Sequence, residues 1–507
     1  MYEQNHLAQQ LRRASVGAED APFLLNPVSG QTTTYGMFFD RAEQMAKALV
    51  DLGVRPGDRI AVQAPKTQAM VELYVGVVLA GAVFLPLNTG YTATELAYFL
   101  GDATPRVLVC DPDRVEDLSP VADASGVAAV LTLGPDEGGS LVQARDAQTP
   151  GFDAVARGAD DLAAILYTSG TTGRSKGAML THEALASNAR TLTEYWQFRA
   201  DDVLIHALPI FHTHGLFVAL NITMVAGGAC IFMAGFDAAA VVAQMPRASV
   251  LMGVPTFYVR LLEQPGLADA ARDMRLFVSG SAPLLAETHA QWQAVTGHAI
   301  LERYGMTETN MNTSNPYAGE RRPGTVGFAL PGVEVIVTEA ETGAPLPEGE
   351  IGVLEVRGPN VFAGYWRMPD KTAAELRENG FFITGDLGRV DADGYVHIVG
   401  RQKDLIISGG YNIYPKEIEG LIDDLPGVVE SAVIGVPHPD FGEAVVAVVV
   451  GATGQPVTQD AIMAGLRDDL ARFKQPKAVF VVDELPRNTM GKVQKNILRD
   501  RHAALFA

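Results

Sequence analysis

Short, mostly apolar runs alternating with helical stretches set the tightest limit on how this chain folds. Arg59–Gln63, Val107–Val109, Ala163–Tyr167, Val250–Gly253 and Leu276–Ser279 read as buried strands, and Tyr35–Leu52 and Lys66–Ala80 as helices. Strands that are apolar on both faces need cover on both sides, so the pattern predicts α/β layers around largely parallel sheets. From Val333 to Val399 the pattern changes to β-runs broken by turns, as at Glu341–Thr342–Gly343 and Asp391–Ala392–Asp393–Gly394. A smaller α+β block follows Arg401. Its helices are expected near Lys416–Asp424 and Gln459–Phe473, and its strands at Val428–Val436, Ala444–Val450 and Ala478–Val482. At 507 residues, 48% of them hydrophobic, the chain exceeds one ordinary domain. The expected class is α/β: a large multi-layer domain over residues 1–400, with mixed sheets and a β-rich subdomain, then a small α+β domain over 401–507.

A formal charge of −20 opposes nucleic acid and anionic membranes, so neither is an expected partner. An anionic ligand must be held by local cations. From Arg472 onward the sequence runs against the trend, with eight Lys or Arg against three Asp or Glu. Such a tail is a solvated face or a surface that meets polyphosphate. Cys110 and Cys230 lie in apolar surroundings without CxxC spacing, which predicts buried, inert thiols in a reduced compartment. No segment approaches the roughly 20 apolar residues of a membrane span. A cytoplasmic protein is expected.

The densest local signal is Tyr167–Gly177, YTSGTTGRSKG, where an apolar strand runs into glycines, hydroxyls and Lys176. Glycines let backbone N–H groups approach phosphate oxygens, hydroxyls add donors, and Lys supplies charge. The spacing is not that of a Walker loop. Ala178–Leu180 reads as a strand and Thr181 as the N-cap of the next helix. The bland alternative is a polar surface hairpin.

Together with Tyr304–Thr309 (YGMTET), Thr384–Asp386 (TGD), Gly400–Asp404 (GRQKD) and Pro486–Lys492 (PRNTMGK), in that order, this loop resembles the acyl-adenylate-forming superfamily of acyl-CoA synthetases, adenylation domains and luciferases. The resemblance implies an ATP-dependent enzyme with Mg²⁺ and coenzyme A. It implies phosphate and nucleotide contacts from Thr168, Ser169, Gly170, Thr171, Thr172, Gly173 and Lys176. Gly280, Ser281, Ala282, Glu302, Arg303, Tyr304, Gly305, Met306 and Thr307 would surround the rest of the nucleotide, with Tyr304 stacked on adenine. Glu308 and Thr168 would bind the metal, and Asp386 and Arg401 the ribose. Lys492 would be the catalytic lysine, with Glu308 and His212 beside it in catalysis. Lys403 would be the pivot of a mobile C-terminal domain, and Ser408, Gly409 and Gly410 would line the path of the pantetheine thiol. Acetylation of Lys492 by a lysine acetyltransferase, reversed by a deacetylase, is a further expectation.

For the acid, Glu302–Arg303 stands where most of the family reads Gln-Gly. Arg there fills the pocket and adds a charge that a second substrate carboxylate could pair. Arg260, His212, Thr213, Ser279 and Met306 are expected nearby. Leu301–Tyr317 and Leu204–Leu216 are similar to malonyl-CoA synthetases, which implies malonate, with methylmalonate or another short diacid as alternatives. Loading of a carrier-protein thiol is the rival reading, and the absence of a fused carrier module tilts toward coenzyme A.

Overall fold

The computed structural model describes residues 2–168, 175–408, 411–452, 457–467, 470–488 and 491–506. The chain divides into two compact units, Met1–Glu334 with Val356–Phe382, and Val335–Glu355 with Ile383–Ala507.

The first unit is built on two large mixed sheets. One has six strands in the order Ala129–Thr132, Val107–Cys110, Arg59–Gln63, Val83–Pro86, Leu162–Thr168, Lys176–Thr181. All neighbours are parallel except the last pair, which is an antiparallel hairpin. The other has nine strands, with Leu301–Met306, Leu276–Ser279, Val250–Gly253 and Val203–His206 as successive parallel neighbours. The apolar runs VLVC, VLMG and LFVS are buried at every position, as two-sided cover requires. Helix Gln68–Leu79 is buried all round, the signature of a helix enclosed in a core. Gly76 lets it press against helix Tyr35–Asp51: a Cβ there would meet Met45 Cβ at 2.6 Å and Ala42 O at 2.9 Å. The expected helices begin at capping threonines. Thr34, Thr67 and Thr181 accept from Met37, Met70 and Ala184 N–H respectively.

In the second unit, strand Gly442–Gly451 pairs antiparallel with Val428–His438 and parallel with Ala478–Val482. Alternation sorts its side chains. Val433, Val445, Ala447 and Val449 pack with Ile418, Ile422, Ile462 and Leu466. Ala432, Ile434, Val446 and Val448 pack with Leu485 and Leu498. The helix expected over 459–473 is shorter, Gln459–Leu466. The Gln475 side-chain amide donates to Leu470 O at 2.8 Å, and Ala471 to Lys474 closes as a turn.

A four-stranded sheet runs Glu334–Thr338, Gly352–Arg357, Phe382–Val390, Val396–Arg401. Most of it groups with the C-terminal residues, so compactness does not divide the chain at 400/401. The reason lies in its own bonds: Thr384 Oγ1 donates to Leu354 O at 2.7 Å, and Gly349 N–H to Val390 O at 2.9 Å. A pivot is a matter of motion rather than packing, and Lys403 stands within the second unit in a short 3₁₀ turn. Among the described residues no helix is long and apolar enough to cross a membrane.

Candidate active site

In the first unit, Thr168 pairs with Lys176 across the mouth of the hairpin that carries the glycine- and hydroxyl-rich loop. Ser169, Gly170, Thr171, Thr172 and Gly173, named as phosphate contacts from sequence, lie outside the described residues. Lys176 is half-buried, 3.2 Å from Glu375 Oε2, with its ammonium 4.1 Å from the centre of the Tyr365 ring.

Glu308 lies between strands Leu301–Met306 and Asn310–Ser314, at the end of a hairpin. It is buried at 6% exposure, so it is not a solvated turn residue. The turn is made tight by Gly305, where a Cβ would stand 1.9 Å from Asn310 O, and by Asn310 at φ +49°. Asn360 Nδ2 donates to Thr309 O at 2.7 Å and Asn310 Nδ2 to Ala184 O at 3.2 Å, tying the hairpin end to two other segments. Among the described residues no three His, Cys, Asp or Glu side chains converge as a metal cage. Mg²⁺ needs no such cage, because it keeps most of its shell for water and phosphate.

Arg303 is buried at 4% exposure on the neighbouring strand. Its Nε and Nη2 have no hydrogen-bond partner among the described residues. Desolvation pulls its pKa down to about 9, so it remains a cation at neutral pH. The guanidinium lies against Gly280, whose missing Cβ would be 2.3 Å from Arg303 Cζ. Ser281 follows at φ +71° and meets His214 Nδ1 at 3.3 Å. His214 is held neutral, its pKa pushed well down by burial and by the Arg303 charge. The buried hydroxyls of Ser279 and Thr213 also lack partners among the described residues. Buried polar groups left unmade are costly, and several on one wall mark a surface built for a polar ligand.

His212 is half-buried beside this group. Tyr304, Met306 and Thr307 are half-buried along the Glu308 hairpin, and Ala282 follows Ser281. Glu302 points elsewhere: on alternation it faces away from Arg303, with Oε1 3.4 Å from buried His289 Nδ1. Arg260 stands exposed on helix Pro255–Leu262, two positions after inward-facing Tyr258. Helical phase turns it away from the interior that holds Arg303.

The sequence reading did not single out Lys66, Tyr365 or Glu375. Lys66 Nζ lies 2.9 Å from both His206 Nδ1 and His206 O, and burial depresses its pKa well below the lysine range. It lines a cleft of about 550 Å³ shared with Met70, Arg114, Ile210 and Phe257, a volume in the range of small-molecule sites. Both cysteines are buried as expected, and burial raises their pKa values, to about 11 for Cys110 and about 12 for Cys230.

In the second unit, Asp386 and Arg401 face each other across adjacent strands, Arg401 Nε 2.5 Å from Asp386 Oδ1. Asp386 lies inside strand Phe382–Val390. Gly385 at φ +69° and the Thr384 hydroxyl, which accepts from Asp386 N–H at 3.0 Å, set its backbone. Lys492 is exposed in a turn where its N–H donates to Asn488 Oδ1 at 3.0 Å. Crowding by protein atoms nevertheless lowers its pKa, helped by the charges of Arg401 and Lys403 and opposed by Asp386 and Asp404. Ser408 is buried at the end of strand Ile406–Ser408, while Gly409 and Gly410 lie outside the described residues.

Comparison with known proteins gives the family. The profile of the AMP-binding enzyme family matches residues 11–366, and that of the AMP-binding enzyme C-terminal domain matches 417–492. The crystal structure of ATP-bound MatB from Rhodopseudomonas palustris superposes with a TM-score of 0.96 at 56% identity, covering 99% of this chain and 100% of that one. A malonate–CoA ligase of Arabidopsis thaliana is 36% identical over 90% of this chain and 80% of its own length. A feruloyl-CoA synthase of an Amycolatopsis species is 37% identical over 93% and 94%.

Proposed function

This chain belongs to the AMP-binding enzyme family and is an AMP-forming acid–thiol ligase, and on that premise we propose that its acid is malonate, converted with ATP and coenzyme A to malonyl-CoA, AMP and diphosphate. The observation that carries the choice of acid is Arg303, a buried cation with two nitrogens that have no partner among the described residues. A second carboxylate on the substrate would pair with it bidentately and offset its desolvation. Acetate leaves that charge unpaired, and so does a hydroxycinnamate such as ferulate, whose far end is a phenol. The names of the relatives divide between such acids, and Arg303 favours the diacid.

A free carboxylate is a poor acyl donor because its leaving group would be oxide. Attack of one malonate oxygen on the α-phosphorus of ATP forms an acyl-phosphate bond and expels diphosphate in line, giving malonyl-adenylate. Thiol attack at that carbonyl then forms the thioester and releases AMP. The chain's work is to position and to neutralise charge. Arg303 fixes the distal carboxylate, with the Ser279 and Thr213 hydroxyls as further donors and His212 alongside. Lys176 and the loop beyond Thr168 receive the β- and γ-phosphates, and Tyr304 the adenine. Asp386 accepts hydrogen bonds from the ribose hydroxyls, Arg401 supports it, and Lys492 carries the ammonium that answers charge on the reacting carboxylate and α-phosphate. Glu308 with Thr168 would hold Mg²⁺, which supplies charge neutralisation on the phosphates when bound. Ser408 with Gly409 and Gly410 would leave room for the pantetheine arm, with Lys403 as pivot.

The test is AMP formation from acetate, malonate, methylmalonate and ferulate, each with and without coenzyme A. Malonate should be used best, with malonyl-CoA formed only when the thiol is present. Equal turnover of acetate or ferulate would remove the role given to Arg303.

A further inference from the structure

Four side chains of the first unit form one connected chain of contacts that the reaction as described does not use. Lys176 Nζ lies 3.2 Å from Glu375 Oε2. Tyr365 Oη lies 2.6 Å from the same carboxylate and 3.1 Å from Glu308 Oε1. Lys371 Nζ, 2.6 Å from Glu375 Oε1, balances the Glu375 charge from its other side. The lysine of the phosphate loop and the carboxylate suited to the metal are thus joined through two residues far from either in sequence.

The backbone makes this arrangement rigid. Residues 363–366 run beside the strand that leaves the loop. Ala363 N–H donates to Met179 O at 2.9 Å, Met179 N–H to Gly364 O at 3.0 Å, and Trp366 N–H to Gly177 O at 2.8 Å. Tyr365 forms an antiparallel bridge with Ala178. Helix Pro369–Glu375 is clasped to the same turn, because Thr372 Oγ1 accepts from Tyr365 N–H at 2.9 Å. Gly364, at φ +126°, has Thr372 Cγ2 2.6 Å from where a Cβ would be. Tyr365 and Glu375 are therefore held in a fixed relation to the strand that carries Lys176, and Phe362 N–H, which donates to Glu308 O at 2.8 Å, ties the same segment to Glu308.

A phenol carries a single proton. Two carboxylates face it, and the nearer is Glu375. The proton is shared unequally: the Tyr365 hydroxyl donates to Glu375 Oε2 at 2.6 Å and to Glu308 Oε1 at 3.1 Å, so one donor orients both carboxylates. Lys176 has three protons and uses its Glu375 face to hold its direction, while Lys371 supplies the counter-charge that leaves the rest of the ammonium available.

We propose that Tyr365 and Glu375 are positioning residues for the triphosphate: they hold Lys176 and Glu308 as one preorganised unit, so that the phosphate-binding cation and the metal-binding carboxylate are set before ATP arrives. The inference rests on the reading of the chain as an ATP-using ligase. It concerns the nucleotide alone and is independent of which acid is used.

The test is calorimetric binding of Mg·ATP and Mg·diphosphate to the full-length chain, to Tyr365→Phe, to Glu375→Gln and to the double variant, alongside KM values for ATP, malonate and coenzyme A. Each single variant should weaken Mg·ATP and Mg·diphosphate binding about 5- to 20-fold, as loss of a charge-assisted contact does. The KM values for malonate and coenzyme A should stay within about twofold, and the double variant should bind no worse than about the weaker single one, because both act through the same pair. Unchanged or tighter Mg·ATP binding in the folded variants overturns the proposal. So do three KM values that rise together with a lowered melting point, the mark of a merely structural role. Wild-type chain that binds Mg·ATP but leaves malonate unused would sink the malonate reading, while the binding comparison still decides the roles of Tyr365 and Glu375.

Discussion

The guanidinium of Arg303 occupies the space that a side chain at residue 280 would need: a Cβ on Gly280 would stand 2.3 Å from Arg303 Cζ and 2.4 Å from Nη1. Gly280 directly follows strand Leu276–Ser279 and Arg303 lies within its parallel neighbour Leu301–Met306, so neither backbone can retreat easily. A glycine is therefore required here by its neighbour rather than by its own torsion angles.

Gly280→Ala should push the guanidinium off its seat. A displacement of about 1 Å at a binding group costs on the order of tenfold to a hundredfold. The expected result is a malonate KM raised by that factor, with calorimetric Mg·ATP affinity changed less than about threefold. A malonate KM within about twofold of wild type would show that Arg303 does not hold the acid.

Arg303→Met should make the protein more stable while destroying its use of malonate. A buried cation without a carboxylate partner costs the fold several kcal/mol of desolvation that a hydrogen bond or two does not return, and apolar replacement of such groups is often stabilising by about 1–4 kcal/mol. Denaturant melts of the substrate-free chain should show the variant more stable, and AMP formation with malonate should fall to background while Mg·ATP still binds. A variant that is less stable than wild type would mean that the guanidinium is satisfied within the fold.

The depressed pKa of Arg303, about 9, gives malonate binding a pH limit. Malonate is already a dianion in this range, so only the receptor titrates. Affinity should be flat from pH 7 to 8 and fall as pH rises through about 9. Binding is the quantity to measure, by calorimetry, because turnover also depends on the lowered pKa of Lys492. Stability moves the opposite way. Between about 9 and the ordinary value of 12.5 the unfolded chain binds the extra proton, so the contribution of this group to stability rises with pH. Malonate affinity that is level to pH 10 would show that Arg303 keeps its proton throughout this range.

The strands were legible because two-sided burial writes a mostly apolar run, and Arg59–Gln63, Val250–Gly253 and Leu276–Ser279 fall where the runs do. Arg303 was legible as a departure from the Gln-Gly that most of the family reads there, a charge where the pocket would otherwise have room. Arg260, two residues after a buried tyrosine on a helix, stands exposed, and nothing in the local sequence marks that. Tyr365 and Glu375 were not legible. Glu375 is 199 residues from Lys176, and its helix resembles any polar surface helix until Thr372 clasps it to Tyr365. Lys66 was equally silent, since its stretch reads as ordinary helix and the His206 atoms it meets lie 140 residues away.

Lys492 offers the last check, on regulation as well as chemistry. It is exposed in a short turn, so an acetyltransferase can reach it without unfolding the chain. Its pKa is lowered from the lysine range, which raises the share of neutral, nucleophilic amine. Acetylation would remove the charge that the carboxylate and α-phosphate need, and Lys492→Gln imitates it. The variant should lose malonate-dependent AMP formation by about 10²-fold or more, the usual cost of a lost transition-state contact. It should still convert added malonyl-adenylate and coenzyme A to malonyl-CoA, because thiol attack on an activated carbonyl needs no second cation at the α-phosphate. Enzymatic acetylation followed by peptide mapping should find the same loss tracking modification of Lys492. Equal failure of both half-reactions in Lys492→Gln would assign this lysine to folding or to general nucleotide binding instead.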